Sequence, residues 1–248
     1  MQNVPALKED VQHIYSDGSY LRVNPGWHMQ DSAWKAGEIR RMFVRNSIVP
    51  SNVAEVGCGA GEILSVLSNY FPAASFSGYE ISRDAYDLCM PRQTDRVRFF
   101  LKDVADQGQR FDVLLCIDVF EHVENYMGFL RGLKKHADLV VFHIPLDIYV
   151  LSLLRQTMLA TRKYVGHLHY FTPQTALETL RDCGYEIIDS FFTNSFDGAP
   201  TNSIEARLMR LPRRLGHSIA PGMSQLLIGG CSLMVLGRPR HANLNEPA

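Results

Sequence analysis

Residues 53–64 read Val-Ala-Glu-Val-Gly-Cys-Gly-Ala-Gly-Glu-Ile-Leu, an apolar strand-like run that passes through three glycines into a helix-like run. Gly57, Gly59 and Gly61 have no side chains, so the backbone there can adopt positive φ and approach a ligand closely. The dinucleotide-binding fingerprint is G-x-G-x-x-G, whereas here the third glycine comes one residue early. The stretch therefore predicts a ligand site after the first strand of an α/β sheet, with a spacing that departs from NAD binding.

Strand-like and helix-like segments alternate from about residue 50 to residue 190, which is typical of βα units stacked on a parallel sheet. The predicted strands are Val53–Gly57, Ser75–Glu80, Val97–Asp103, Phe111–Asp118, Asp138–Ile144, Tyr185–Thr193 and Leu226–Leu236. The predicted helices are Ser32–Asn46, Gly61–Asn69, Ser82–Met90, Val123–Lys135 and one that starts at Thr172-Pro173 and ends at Gly184. The fold class is therefore α/β, a doubly wound and mostly parallel sheet.

Two segments lie outside this alternation, residues 1–50 and 145–170. The first is interpreted as an N-terminal helical cap or lid, and the second as a substrate-cap insert in a domain that spans residues 51–240. The insert contains the apolar stretch Ile148–Ala160, which suits a pocket roof, a dimer surface or contact with a lipid-linked acceptor.

The C-terminal part contains a cluster of four arginines, Arg207, Arg210, Arg213 and Arg214. A solvated basic face is the favoured interpretation, and peripheral contact with a membrane is the alternative. Further on, Gly229 and Gly230 interrupt the last predicted strand, which indicates a bulge.

Composition restricts the class of protein. The 248 residues contain 25 Lys and Arg against 26 Asp and Glu, so no nucleic-acid partner is expected. The five cysteines have no CxxC pair and no histidine at metal-ligand spacing, so reduced thiols and no metal are expected. The absence of a signal-like segment and of an 18-residue apolar run favours a cytoplasmic protein without a transmembrane segment. The expected oligomeric state is a monomer or a homodimer.

Acidic side chains end the strands that follow the glycines. Glu80 comes about 20 residues after them, where a carboxylate can accept two hydrogen bonds from a ribose diol. Asp103 ends the next strand, where it can accept from an adenine amino group, and Asp118 ends the fourth. Each alone is explained as a surface turn residue, but polar groups from consecutive strands at one edge indicate a ligand site.

In combination these motifs resemble the class I S-adenosylmethionine (SAM)-dependent methyltransferases over about residues 50–190. Residues 55–61 resemble the first motif of that family, Glu80 its ribose-binding acid, and residues 111–123 the motif after its fourth strand. Residues 166–173, followed by a helix and Cys183-Gly184-Tyr185, are similar to a subgroup of small-molecule methyltransferases. The resemblance implies seven strands in the order 3-2-1-4-5-7-6, with the last strand antiparallel.

The resemblance also implies that SAM is the cofactor. The residues expected to bind it are Glu55, Gly57, Cys58, Gly59, Ala60, Gly61, Glu80, Ile81, Asp103, Val104, Asp118, Val119 and Trp34. Both tryptophans, Trp27 and Trp34, lie within eight positions, so either can seal the site or stack on the sulfonium by cation–π attraction. The alternative is that they anchor an N-terminal helix on the domain. Lys35 is a candidate partner of the methionine carboxylate.

Methyl transfer to a hydroxyl requires a group that removes its proton, and a neutral histidine suits that task. The candidate bases are His28, His122, His143, His167 and His169, of which His122, His167 and His169 are retained as catalytic candidates. His122 is also interpretable as a structural part of the SAM pocket. His143 lies on an apolar strand and is interpreted as a hydrogen-bonded core residue. If their segment is extended, at most one of His167 and His169 faces the pocket.

The favoured function is transfer of a methyl group from SAM to a small-molecule acceptor, preferentially a hydroxyl oxygen of a sugar, polyketide or lipid-like metabolite. A methyltransferase acting on RNA or protein is one alternative, although residues 118–121 lack the N/D-P-P-Y motif of amino-nitrogen enzymes. A non-catalytic SAM-binding regulator is another. An NAD-dependent dehydrogenase is disfavoured because the glycine spacing is wrong.

Overall fold

The computed structural model describes residues 18–27, 29–198 and 204–240. Seven strands form one sheet: β1 Asn52–Val56, β2 Ser75–Glu80, β3 Val97–Leu101, β4 Phe111–Ile117, β5 Ala137–Pro145, β6 Tyr185–Thr193 and β7 Ser232–Pro239. Their order is β3-β2-β1-β4-β5-β7-β6, and β7 runs antiparallel to both of its neighbours. The predicted strand order and the antiparallel last strand are confirmed.

The α-helices of the described residues are α1 Ser19–Val23, α2 Ser32–Arg45, α3 Glu62–Tyr70, α4 Arg83–Cys89, α5 Tyr126–Leu133, α6 Val150–Arg155, α7 Thr157–Tyr164, α8 Pro173–Asp182, α9 Ser195–Gly198, α10 Ile204–Leu208, α11 Arg210–Ile219 and α12 Pro221–Ile228. Short 3-10 turns cover Met29–Asp31, Met90–Arg92, Val104–Asp106 and Phe120–His122. Within these ranges no helix is long and apolar enough to cross a bilayer.

The sheet is buried on both faces because helices cover each side. Along β4, Leu114 and Cys116 belong to the core that packs against α5 and α8, whereas Val113 and Leu115 belong to the core beneath α2 and α3. This alternation follows from the two-residue period of a strand. It explains why β4 is apolar at nearly every position.

Helix α2 is a full layer of the core. Ala36, Ile39, Met42 and Phe43 are completely buried, and the helix packs against α3 and β7. The spacing of these four residues places them on one helical face. The N-terminal segment therefore fixes the position of Ser32 and Lys35, at the start of this helix, relative to the sheet.

The sequence-based assignment of the last strand to Leu226–Leu236 is wrong. Residues up to Ile228 form α12, and Gly229 and Gly230, with φ of 63° and 95°, turn the chain into β7 at Ser232. The two glycines therefore end a helix and do not form a bulge. A short continuous apolar run has no periodicity that distinguishes helix from strand, and Pro221 favours a helix start.

Candidate active site

The turn after β1 forms one wall of a cavity at the carboxyl edge of the sheet. Gly57 and Gly59 have φ of 62° and 55°. A Cβ atom at Gly57 would lie 2.9 Å from Val119, and one at Gly59 would lie 2.9 Å from Trp27. A side chain at either position would be strained and obstructed, so the glycines keep this wall free for a ligand.

Two adjoining cavities occupy this edge, one of about 240 Å³ and one of about 180 Å³. Five residues line both of them: Tyr20, Trp27, Gly57, Asp118 and His122. Because β1, β2 and β4 are parallel, their carboxyl ends meet here, as is usual for ligand sites of open α/β sheets.

Glu80, the last residue of β2, lines the second cavity and is held by three backbone amides. Gly59 N donates to Oε2 across 2.9 Å, and the amides of Ile81 and Ser82 donate to Oε1 across 2.8 Å. Burial raises the pKa of Glu80, and these three hydrogen bonds oppose that shift. A carboxylate has about four acceptor positions, so one remains for a hydroxyl in the cavity.

Asp118, after β4, is the centre of a charged network. Lys35 Nζ lies 2.8 Å from Oδ2, and His143 Nδ1 lies 2.6 Å from Oδ1. Burial opposes ionisation of Asp118, but the charges and hydrogen bonds of His143 and Lys35 outweigh it and hold its pKa below the usual value. The interpretation of His143 as a hydrogen-bonded core residue is confirmed, because its Nε2 lies 2.8 Å from Thr193 Oγ1.

Two of the three catalytic candidates meet at the wall of the first cavity. The ring centroids of His122 and His167 are 4.8 Å apart, and the rings are nearly perpendicular, with an interplanar angle of 78°. His122 Nδ1 is 3.1 Å from the Gly166 carbonyl, and His167 Nδ1 is 2.6 Å from Asp147 Oδ2. Both oxygens are acceptors, so each Nδ1 carries the hydrogen and, in the neutral ring, Nε2 is the basic nitrogen.

Glu121 lies beside this pair with a buried carboxyl group. Its residue is 1% exposed, and neither carboxylate oxygen accepts a hydrogen bond from the described residues. Burial, and then the charge of Asp118, raise the pKa of Glu121 well above its usual value. Ligand atoms of Glu121, His122 and His167 lie within 4.8 Å of one another, so this group can hold a proton or a divalent cation. Cysteine and histidine spacing gave no sign of this group, because it is assembled from separate segments.

Of the two tryptophans, Trp27 lines both cavities, and Trp34 does not line either. The Trp34 ring instead packs edge-on against His143, with ring centroids 5.8 Å apart. Trp27, and not the expected Trp34, therefore lines the cavities at this edge of the sheet. Tyr20, which the sequence did not single out, packs at 4.8 Å from Trp27, and burial and the charges of Glu121 and Asp118 raise its pKa.

The remaining expected SAM-binding residues divide into two groups. Those that line a cavity are Glu55, Cys58, Ala60, Ile81 and Val119. Asp103 is exposed and caps a 3-10 turn by accepting from Ala105 N across 2.9 Å, while Val104 is buried in the core. Gly61 lies behind the wall, where an added Cβ would meet Phe99.

His169 lies outside both cavities. Its Nε2 donates toward the Val123 carbonyl at 3.0 Å, and its ring packs on Tyr126. As expected, only one of His167 and His169 faces the pocket, and that residue is His167. His28 lies outside the described residues.

The sheet order, the glycine turn and the acid at the end of β2 are those of the class I SAM-dependent methyltransferase fold. The family described as "Methyltransferase domain" matches residues 27–190, well over half of the chain. The chain belongs to that family.

Solved structures share the fold at low sequence identity. The magnesium protoporphyrin IX methyltransferase of Synechocystis PCC 6803 with bound S-adenosylhomocysteine (SAH) is 16% identical, with a TM-score of 0.58 and 92% of each chain covered. The plantazolicin methyltransferase BpumL, in complex with a triazolic desmethylPZN analog and SAH, is 14% identical, with a TM-score of 0.61, covering 93% of this chain and 95% of that one.

Curated relatives match over shorter ranges. A ubiquinone biosynthesis O-methyltransferase of Rickettsia conorii is 23% identical over 133 residues, which are 52% of this chain and 45% of the relative. An (S)-coclaurine N-methyltransferase of Papaver somniferum is 23% identical over 136 residues, 50% of this chain and 38% of the relative. The chain thus spans less than half the length of these relatives, and they differ in the atom that they methylate.

Proposed function

We propose that this chain transfers the methyl group of SAM to a hydroxyl oxygen of a small-molecule acceptor. The observation that carries the proposal is that His167, which lines the same cavity as the glycine turn, is hydrogen-bonded to Asp147. The O-methyltransferase among the relatives supports it as well.

In this proposal SAM extends across both cavities. Glu80, whose carboxylate is already oriented by three backbone amides, would accept a hydrogen bond from one hydroxyl of the ribose. Ile81 and Val119 would contact the adenine in the second cavity, and Gly57 and Gly59 would leave room for the methionine part in the first.

The charged network at Asp118 serves the methionine end. Lys35 already pairs with Asp118; burial lowers the pKa of Lys35, but the charge and hydrogen bond of Asp118, together with the charges of Asp31 and Glu121, outweigh burial and raise that pKa. The pair therefore stays ionised, with the carboxylate available to the methionine ammonium and the lysine to its carboxylate. Both contacts would orient the sulfonium methyl group toward the acceptor part of the cavity.

The acceptor occupies the part of the first cavity that Pro145, Val165 and His167 line, under the 145–170 insert. Nε2 of His167 would accept the hydrogen bond of its hydroxyl and take the proton, while SAM would supply the methyl group to the oxygen and leave as the neutral thioether. Asp147 holds the imidazole in the required tautomer and stabilises the imidazolium that forms. A neutral amine attacks through its lone pair and loses a proton only after the methyl group is transferred, so it depends less on such a base.

The test is transfer of labelled methyl from SAM to a panel of phenol, sugar-hydroxyl and amine acceptors, with and without a chelator. Labelled ethers that require His167 support the proposal. Labelling confined to amines, or to protein or RNA, would replace it. If the chelator abolishes transfer, the group formed by Glu121, His122 and His167 binds a metal ion and does not act as a proton acceptor.

A further inference from the structure

A stripe of exposed apolar residues runs along α10 and α11. Its members, with the exposed fraction of each residue, are Ile204 75%, Leu208 72%, Leu211 65%, Leu215 55% and Ile219 83%. Their spacing of three or four residues places them on one face of a helix, and Met209 between the helices has helical backbone angles. More than half of every residue in this stripe faces solvent.

Helix α12 shows the reverse of the usual amphipathic pattern. It buries Ser224 and Gln225, whereas Met223, Leu226 and Leu227 are exposed. Gln225 is fixed in place, because it donates to the Leu146 carbonyl at 3.1 Å and accepts from Cys231 N at 3.0 Å. A surface helix normally buries its leucines, so packing of this domain does not explain the arrangement.

Helix α6 repeats this reversal. Ser152 is buried and bonds to the carbonyls of Asp147 and Tyr149 across 2.7 Å, while Leu153 and Leu154 are exposed. In α7, which follows, Leu159 is 71% exposed. Two separate parts of the chain therefore turn their leucines to solvent.

These helices are neighbours in space. Helix α11 packs against α12, with Gly216 close to Ser224, and α12 packs against α6. We call the exposed apolar residues of these five helices (α6, α7, α10, α11 and α12) the apolar face: Val150, Leu153, Leu154, Leu159, Ile204, Leu208, Leu211, Leu215, Ile219, Met223, Leu226 and Leu227. Contiguous apolar faces of this kind are binding surfaces more often than ordinary protein surface.

The charged residues of the helices that carry the apolar face are cationic, apart from Glu205 in α10. Residues 148–166 and 206–240 contain no aspartate or glutamate, although acids slightly outnumber bases in the whole chain. The exposed cations of these segments before β7 are Arg155, Arg162, Lys163, Arg207 and Arg214. An apolar face combined with an excess of cations complements a lipid bilayer, whose interior is apolar and whose headgroups can be anionic.

We propose that the apolar face docks on an anionic phospholipid bilayer. Leucine and isoleucine side chains enter the boundary between headgroups and acyl chains, and the arginines contact lipid phosphates. The helices lie in the plane of the interface, consistent with their short length. A second copy of this chain is a poor occupant, because a two-fold interface would bring like charges together.

The docking surface and the cavity share one structural element. Val165 and His167, which follow α7 directly, line the first cavity. Docking would therefore place the bilayer next to the segment that forms the wall of the cavity. The residues of the apolar face themselves take no part in the chemistry.

The experiment is flotation of the full chain with phosphatidylcholine vesicles that contain none or about 30% phosphatidylglycerol. We expect the chain to bind the anionic vesicles at least about tenfold more strongly and to lose most binding at about 0.5 M salt. The double variants L211S/L215S and R207E/R214E should each reduce the partition coefficient by about tenfold or more.

Matched controls separate docking from general changes of hydropathy or charge. V44S/V49S removes two exposed valines outside the apolar face, which are 66% and 88% exposed, and R98E reverses a charge on β3. Both should bind vesicles like the unmodified chain, and all variants should keep its thermal midpoint and SAM affinity.

Absence of binding to anionic vesicles, or equal binding by all variants, would overturn the proposal. So would a stable dimer, seen by light scattering, that L211S/L215S separates into monomers.

Discussion

His167 Nδ1 donates a hydrogen bond to Asp147 Oδ2 across 2.6 Å, on the wall of the cavity next to the glycine turn. The two residues come from opposite ends of the 145–170 insert, so the insert itself builds the pair. A histidine held in this way has a fixed tautomer and a basic Nε2, which are the properties required of a proton acceptor.

Replacing His167 by Ala should lower kcat for a hydroxyl acceptor by about 10²–10⁴-fold, because the proton acceptor is removed. Asp147→Asn should lower it as well, since an amide does not stabilise the imidazolium. SAM affinity should stay within about twofold, because neither residue belongs to the proposed SAM contacts. His169→Ala is the matched control. Equal turnover of the His167 and His169 variants would show that positioning alone carries the reaction.

Glu80→Gln should raise the Kd of SAM by about 10–100-fold. The amide keeps the size of the side chain but cannot accept from three backbone amides and a ribose hydroxyl as a carboxylate does. Calorimetric titration measures the change, and Glu186→Gln on the exposed edge of the sheet is the control. An unchanged Kd in a folded Glu80 variant would place the ribose elsewhere.

Glu121→Gln should stabilise the fold at neutral pH. Burial raises the folded-state pKa of Glu121 above its unfolded value of about 4.3, so its favourable contribution is present below that value and is lost as pH rises through the folded pKa. Urea unfolding at about pH 5 and pH 8 measures the change. The free energy of unfolding of the variant, relative to that of the unmodified chain, should rise by about 1 kcal/mol or more between the two pH values. Glu124→Gln, at an exposed neighbour, should show no such gain. A pH-independent difference would mean that Glu121 does not titrate in this way.

Trp27→Ala and Trp34→Ala should have different effects. Trp27 closes both cavities against the glycine turn, so its loss should raise the Kd of SAM by about tenfold. Trp34 packs on His143, so its loss should lower the free energy of unfolding by about 2 kcal/mol with a smaller effect on the Kd. The reverse outcome would restore Trp34 to the site.

The parts of this protein that the sequence predicts are those that depend on local pattern. The glycine turn and Glu80 are separated by a single βα unit, so their meeting at one sheet edge follows from parallel connection. His122 and His167 meet only because the 145–170 insert folds back on the end of β4, which no local period encodes. Trp27 and Trp34 are equivalent by position, and only tertiary packing distinguishes them.

The assignment of Leu226–Leu236 to one strand fails for a related reason. Its continuous apolar run predicts a buried strand in the core. In the structure, however, Leu226 and Leu227 face solvent on α12, and Gln225 is buried. Exposed leucines of this kind violate the burial rule on which hydrophobic patterning depends. The same violation marks the apolar face.

The most direct measurement of the central claim, that the cavity beside the glycine turn is a SAM site, is calorimetric titration with SAM, SAH and NAD. We expect one molecule of SAM or SAH to bind per chain with a Kd in the micromolar range, which corresponds to about 8 kcal/mol, and no heat from NAD. Tight binding of NAD, or no binding of SAM and SAH by the folded chain, would contradict the account.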